Sequence, residues 1–458
     1  MRILLLISIA GLFFLPARCE GATDEAGPGE RVHGVQRASL IERFYRQRHQ
    51  ALFWFAGGEG SGALRGALLD RLDSAAWLGL DSGLYRPGEL RELGENASSQ
   101  DWSGDSSRIA AADRRFTAAA FDFYMDVLRG GGLDSFLSYD AISAKHIATD
   151  EEALLNGLAG VKDVAGLEEW GSRLEPSVPM YRMLKDSLQA VMADYGKRRQ
   201  LSVTLNVFRR IHHYHFDRFI VVNIPSARLS YFAADTLALS MKVVVGQVSK
   251  RTPRFAAWCR QIILYPYWNI PGSITAKEML PVFRKSPWAA VLMDIEALDS
   301  KGRKVDVAGI NWSSYTAANF PYTLRQAPGC ENALGVIKFD LDDPFNVYMH
   351  DTNLKRAFAS SWRYLSHGCI RLERPFELGM QLLDNKLDTS YLRQCLRDQR
   401  PVPVLLDKPV PVFVVYLTAG VGADGRVAWY RDVYRLNGKD HRERSDDKMM
   451  KIKPIFPE

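Results

Sequence analysis

The chain has 458 residues, 47% of them hydrophobic and 24% charged, with a formal net charge of +6. That length exceeds one ordinary core, so two or three domains are expected, and the composition excludes a collagen-like or wholly disordered chain. The mild positive balance suits an anionic polymer, but no run of like charges is long enough to argue for nucleic acid, and none is expected as a partner.

The chain opens on Arg2, a largely apolar stretch over residues 3–15, then Pro16 and small residues. Such a stretch is short for a membrane span, which needs about 20 residues, and right for a secretory signal. Residues 1–21 therefore read as a signal peptide cut after Ala17 or Gly21, with an uncleaved anchor in the inner membrane as the alternative. Cys19 follows Arg18, where a lipid-attachment signal wants a small residue. Residues 22–38, rich in Gly, Glu, Asp and Pro, read as a flexible leader.

From 39 to 204 the pattern is helical. Leu64, Leu68, Leu72 and Ala75 recur at helix spacing. Phe116, Ala120, Phe123 and Val127 form a second apolar stripe, and Gly130 supplies a stop. Residues 205–437 change character. "RFIVVNIPSARLSYFAADTLALSMKVVVGQ" holds β-rich runs around a turn at Ala234–Asp235, and further strands flank Asp342, Asp343 and Pro344. Residues 272–329 are mixed and read as an insert between strands, and Asp424–Gly425 marks a late hairpin. A charged tail covers 438–458. The expected class is α+β, a helical domain followed by a mostly-β domain with an insert.

An exported protein normally pairs its thiols. If Cys19 leaves with the signal, Cys259, Cys330, Cys369 and Cys395 remain, enough for two disulfides. If Cys369 stays free to react, at most one pair forms among the rest, and Cys259–Cys330 is the expected one.

"MHDTNLKRAFASSWRYLSHGCIRL" places His350 19 positions before Cys369, which follows His367 and Gly368. An imidazolium lowers a neighbouring thiol's pKa, and the imidazole then serves as general base and acid. Two strand ends of one sheet can bring His350 and Cys369 together. Gly368 permits a turn that aims N–H groups at one point, where an oxyanion forms. Arg371 shares a face with Cys369 in an extended strand and offers a fork for a carboxylate.

Those residues resemble the signature of the L,D-transpeptidase (YkuD-type) catalytic domain, with His350 ahead of Ser366, His367, Gly368, Cys369 and Arg371. "VVVGQVSKRTP", "YPYWNIP", "NALGVIKF" and "VPVFVVYLTA" resemble the YcbB-type periplasmic branch, which implies a helical scaffold before the catalytic domain and a capping insert within it. "YRMLKDSLQAVMADYGKRRQ" runs almost directly into the catalytic domain, leaving no room for a peptidoglycan-binding module found in that branch. The resemblance implies a periplasmic enzyme without a cofactor, acting on peptidoglycan stem peptides: a tetrapeptide donor and an acceptor amine. Cys369 is then the nucleophile and His350 the acid/base, oriented by the backbone carbonyl of Asp351 rather than its carboxylate. Gly368 forms the turn and oxyanion site, and Ser366 and His367 support it. Arg371, Tyr348 and Trp268 bind substrate. A 3→3 crosslink through a thioester is the expected product, and a carbapenem is expected to acylate the site. Hydrolysis, or exchange with a D-amino acid or a lipoprotein lysine, uses the same site, and a non-catalytic wall-binding scaffold is the reading of a different class.

Two further stretches bear on the site. His212, His213 and His215 invite a metal, with His213 and His215 on one strand face, but no third ligand is placed and no metal is expected. "FAGGEGSG" lacks the Lys-Ser/Thr of a phosphate loop and reads as a connector.

Overall fold

The computed structural model describes residues 28–437 apart from 58, 100, 101, 103, 134, 135, 143–146, 397, 398 and 423. The expected signal and the charged tail lie outside the described residues. The first helices are α1 (Pro28–Gln47), α2 (Glu59–Asp73), α3 (Pro87–Ala97) and α4 (Ser106–Arg129). α1 begins inside the segment expected to be a loose leader, with Pro28 in its first turn, where a missing N–H costs nothing. On α2, Leu64, Leu68 and Leu72 are buried together, and Ala75 just beyond is buried with them. α4 starts where the Asp105 carboxylate accepts the Arg108 N–H and buries Phe116, Ala120, Phe123 and Val127. It stops at Gly130, whose φ is +81° and where a Cβ would meet the Asn206 carbonyl at 2.1 Å. The buried Asp113 carboxylate accepts the N–H groups of Phe53, Trp54 and Phe55, fixing the α1–α2 connection on α4.

A short strand, β1 (Tyr139–Asp140), precedes α5 (Ile147–Ala159), α6 (Val164–Arg173), α7 (Pro179–Ala190) and α8 (Tyr195–His212). The domain division expected at 204 falls within α8, so the change of character comes at 213–217. α8 also absorbs part of the histidine cluster, correcting the strand reading. His212 ends the helix, stacks on Phe208 and bonds Asp235, while His213 meets Asp150 at 3.3 Å.

The second half winds β2 (Arg218–Asn223), β3 (Arg228–Ala233), β4 (Thr236–Gly246) and β5 (Phe255–Leu264), then enters the insert. It resumes with β10 (Ile337–Leu341), β11 (Met349–His350), β12 (Tyr364–Ser366), β13 (Ile370–Leu372), α12 (Pro375–Leu382), α13 (Thr389–Arg393) and β14 (Val402–Val415), and ends in the hairpin β15 (Ala419–Val421) and β16 (Val427–Trp429). The sheet order β5-β10-β11-β13-β4-β3-β2-β14 closes on itself, because β14 also pairs with β5. Closure leaves no free edge among these strands. Ile220, Val222, Leu229, Val243, Val245 and Ile262 fill the inside. Phe219, Phe232 and Phe413 point outward and pack on Val207 and Ile211 of α8. Both faces are covered, which is why "RFIVV" reads as a continuous apolar run.

The insert has its own core around Phe283, Trp312 and Leu324. It comprises β6 (Trp268–Asn269), α9 (Gly272–Ile274), a π-helical turn at Thr275–Met279, α10 (Leu280–Lys285), α11 (Trp288–Leu292), β7 (Ile295–Leu298), β8 (Lys304–Val305) and β9 (Thr323–Gln326). Its sheet runs β6-β9-β7-β8, so the cap begins at β6, a few residues before 272.

The disulfide differs from expectation. Cys330 pairs with Cys395, 5.2 Å apart at Cα, at the cap's C-terminal root. Cys259 is free and fully buried in the barrel core, because β5 turns it inward. Crosslinking residues 65 apart in sequence constrains the unfolded chain. Replacing Cys395 with Ser is expected to destabilise the catalytic domain by about 4 kcal/mol, read as a lower denaturant midpoint under oxidising conditions. An unmoved midpoint, or a mapped bridge to Cys259, contradicts the pairing.

Candidate active site

β11 and β13 lie side by side and parallel, with Met349 opposite Ile370 and His350 opposite Arg371. Met349 and Ile370 are fully buried in the barrel core. Alternation then sends Tyr348 and His350 from one strand, and Cys369 and Arg371 from the other, to the opposite face. The Ile370 N–H donates to the Tyr348 carbonyl at 3.0 Å, holding this register up to the cysteine.

Gly368 supplies the turn as expected, with φ at +124°, a region L side chains rarely adopt. Its N–H, however, donates to Ser366 Oγ at 3.2 Å, so it is not a waiting oxyanion donor. Ser366 Oγ in turn donates to the Cys369 carbonyl at 2.6 Å, bridging the turn from inside. Thr252 Oγ1 donates to the Gly368 carbonyl at 2.7 Å and accepts the Gly246 N–H at 2.9 Å. Tyr434 closes the network by donating its hydroxyl to the Gly246 carbonyl. A Cβ on Gly246 would meet the Lys250 carbonyl at 2.3 Å, so the close approach of that loop needs glycine. Thr252 lies 116 residues from Gly368, a separation at which no local pattern signals the contact.

His350 is buried, and its Nδ1 bonds the carbonyl of Asp351. A carbonyl only accepts, so Nδ1 carries the hydrogen and Nε2 keeps its lone pair. The Asp351 carboxylate is engaged elsewhere, as expected, accepting the Val336 N–H at 3.2 Å and pairing with Lys355. Burial first, and then Arg371, push the His350 pKa down to about 3.

Cys369 is partly exposed, with Sγ 3.8 Å from the Asn346 carbonyl. Burial raises the thiol pKa, while the N–H and hydroxyl of Tyr348 pull against it, and Asp343 adds to the rise. The imidazolium–thiolate pair expected from sequence is thus corrected: both groups rest neutral, since both are desolvated and Arg371, Lys338 and Lys355 repel a proton from His350.

The other expected residues divide. Tyr348 lies against the sulfur, its ring 5.5 Å from that of His350, with Lys338 Nζ 4.4 Å from its centre. Trp268, on the cap's first strand β6, opposes the rise that burial gives the Tyr348 hydroxyl. Arg371 is half-buried, its charge felt by both Cys369 and His350, and it pairs with no carboxylate among the described residues. His367 turns outward, its Nε2 2.6 Å from Glu278 Oε1 on the cap's π turn, and Lys250 Nζ joins that carboxylate at 3.1 Å. Glu278 and Lys250 were not foreseen, because their roles exist only once the cap folds over the turn.

Residues 217–384 match the family model of the L,D-transpeptidase catalytic domain, and residues 39–188 match that of the scaffold domain. A protein of Haemophilus influenzae, provisionally named an L,D-transpeptidase, is 33% identical over 220 residues, covering 48% of this chain and 44% of that protein. The match thus spans less than half of the relative's length. Among solved structures, an L,D-transpeptidase from Mycobacterium smegmatis is 14% identical, covering 43% of this chain and 58% of its own, with a TM-score of 0.20. An L,D-transpeptidase in complex with imipenem is 12% identical over 43% of this chain and 59% of its own, with a TM-score of 0.19.

The state of His350 has a consequence for stability. Its pKa falls from 6.5 to about 3 on folding, so the unfolded chain takes up a proton that the folded one refuses. Stability contributed by the neutral imidazole is present above pH 6.5 and is lost as pH falls toward 3. His350→Gln is expected to keep more of its neutral-pH Tm at pH ~4.5 than the wild type. Equal losses in the two proteins contradict the buried neutral imidazole.

Proposed function

The chain joins a scaffold domain at 39–188 to an L,D-transpeptidase catalytic domain at 217–384, and on that premise we propose that it crosslinks peptidoglycan stem peptides through a thioester on Cys369. The observation that carries this reading is the β11–β13 register, which sets Cys369, His350 and Arg371 on one face. His350 Nε2 takes the thiol proton as sulfur attacks the amide carbonyl at the L-centre of the third stem residue. The oxyanion rests on the N–H of Cys369, since that of Gly368 is held by Ser366. Removing one such donor typically costs about 2.7–4 kcal/mol of barrier stabilisation. The C–N bond breaks, and terminal D-alanine leaves with the proton from His350. An amine from a second stem then attacks the thioester, gives its proton to His350 and releases the sulfur, which takes that proton back. The product is a 3→3 crosslink, and no cofactor enters the balance.

Arg371, without a carboxylate partner among the described residues, suits a substrate carboxylate by a forked contact. We assign Tyr348 of the barrel and Trp268 of the cap to the same substrate. The work belongs to the periplasm, reached through the signal at 1–21.

Incubating the full chain with disaccharide-tetrapeptide is expected to yield crosslinked dimers and free D-alanine, and Cys369→Ala is expected to yield neither. A mass increase matching one imipenem on Cys369 is the companion result. Tripeptide without dimers points to hydrolysis instead, and product from Cys369→Ala contradicts the proposal.

A further inference from the structure

The loop between β10 and β11 approaches the nucleophile more closely than any motif announces. It brings the Asn346 carbonyl to 3.8 Å from Cys369 Sγ, which donates to it, and it carries Tyr348, which pulls the thiol pKa down against burial. What shapes the loop is Asp343. Its Oδ1 accepts the Phe345 N–H at 2.7 Å and the Val347 N–H at 3.2 Å, folding residues 343–347 around one oxygen. Asn346 sits within that fold with φ at +55°, a left-handed conformation Asn tolerates. Phe345 anchors the loop against Tyr139 and Phe255, with ring centroids 6.4 and 6.0 Å apart. Asp342 fastens its other end by accepting the Trp258 N–H at 2.6 Å and Arg260 Nε at 3.0 Å.

The second oxygen is the unexpected part. Asp343 Oδ2 is buried and has no hydrogen-bond partner among the described residues. A neutral amide at this position supplies the same acceptor for Phe345 and Val347 without burying a charge, so the carboxyl is not needed for the turn alone. We propose that Asp343 is a positioning residue for Cys369: Oδ1 sets the loop that cradles the sulfur, and Oδ2 opposes negative charge on it. This inference rests on Cys369 being the reactive group.

The titratable groups facing this carboxyl are Asp342 on its own loop and the Cys369 thiol on the neighbouring turn, while Lys338 on β10 acts on the same sulfur with the opposite sign. Burial first, with Asp342 adding, raises the Asp343 pKa to about 6. The carboxyl therefore carries its charge above that pH and loses it below.

The test compares Asp343→Asn and Asp343→Ala with the wild type in the full chain. The reading is the pH profile of iodoacetamide alkylation at Cys369, located by peptide mass spectrometry, alongside kcat and KM for tetrapeptide. Asp343→Asn keeps the acceptor and removes the charge, so its alkylation midpoint is expected to fall by about half a unit to one unit. Asp343→Ala removes both, and kcat is expected to drop tenfold or more with KM changed less than threefold. An Asp343→Asn profile that overlays the wild type overturns the electrostatic role, and wild-type kcat in Asp343→Ala overturns the positioning role. If Asp343→Ala does not fold, Asp343→Asn still decides the first. Alkylation needs no peptidoglycan, so a failed transpeptidase reading shows itself separately, as a wild type that alkylates normally and turns over nothing.

Discussion

Two residue pairs on parallel strands, Met349 with Ile370 and His350 with Arg371, determine the face on which Cys369, His350 and Arg371 sit. Strand side chains alternate, so a slip of one residue would turn Cys369 into the barrel core and bring Ile370 to the surface. Burial of Met349 and Ile370 makes that slip costly, since each loses about 1.5–3 kcal/mol of apolar transfer energy when exposed. The register is thus specified by the core and used by the site. Closure of the barrel through β14 and β5 adds rigidity, because β11 spans only two residues and cannot hold its place alone.

The electrostatics follow from the same packing. A buried imidazole ringed by Arg371, Lys338 and Lys355 stays neutral, and a thiol facing protein stays protonated. The site therefore stores no ion pair. It holds an imidazole whose Nε2 is left free by the Asp351 carbonyl and, on the mechanism we propose, a thiol whose proton leaves as sulfur attacks. Asp351 contributes through its carbonyl, which fixes the tautomer, while its carboxylate packs against Gly335 and pairs with Lys355. The cap reaches this centre twice, through Trp268 on Tyr348 and through Glu278 on His367. Its C-terminal root is stapled by Cys330–Cys395.

Much of this was legible in the residues. The stripes of α2 and α4 repeat at helix spacing and are buried as that spacing requires. "SHGCIRL" announced the turn, because Gly368 is needed for its backbone, and His350 ended a strand as its apolar neighbours implied. The misses have physical causes. Disulfide partners depend on three-dimensional proximity, so Cys259–Cys330 had no local pattern to correct it. The histidine stretch 212–215 carries little alternation, and α8 simply extends into it. The ionisation of Cys369 and His350 was misjudged because burial, unlike spacing, is a property of the assembled fold. Thr252, Tyr434 and Glu278 act across more than eighty residues of chain, where sequence carries no marker.

The account turns on a thiol that is protonated at rest beside a neutral base. The direct measurement is an NMR titration of selectively ¹³Cβ-labelled cysteine in the full chain, assigned with Cys369→Ala. The account predicts that the Cys369 signal holds its thiol position through neutral pH and moves only above the ordinary cysteine value of about 8.5. A signal already at the thiolate position at neutral pH contradicts it, and would mean that the site keeps a preformed ion pair.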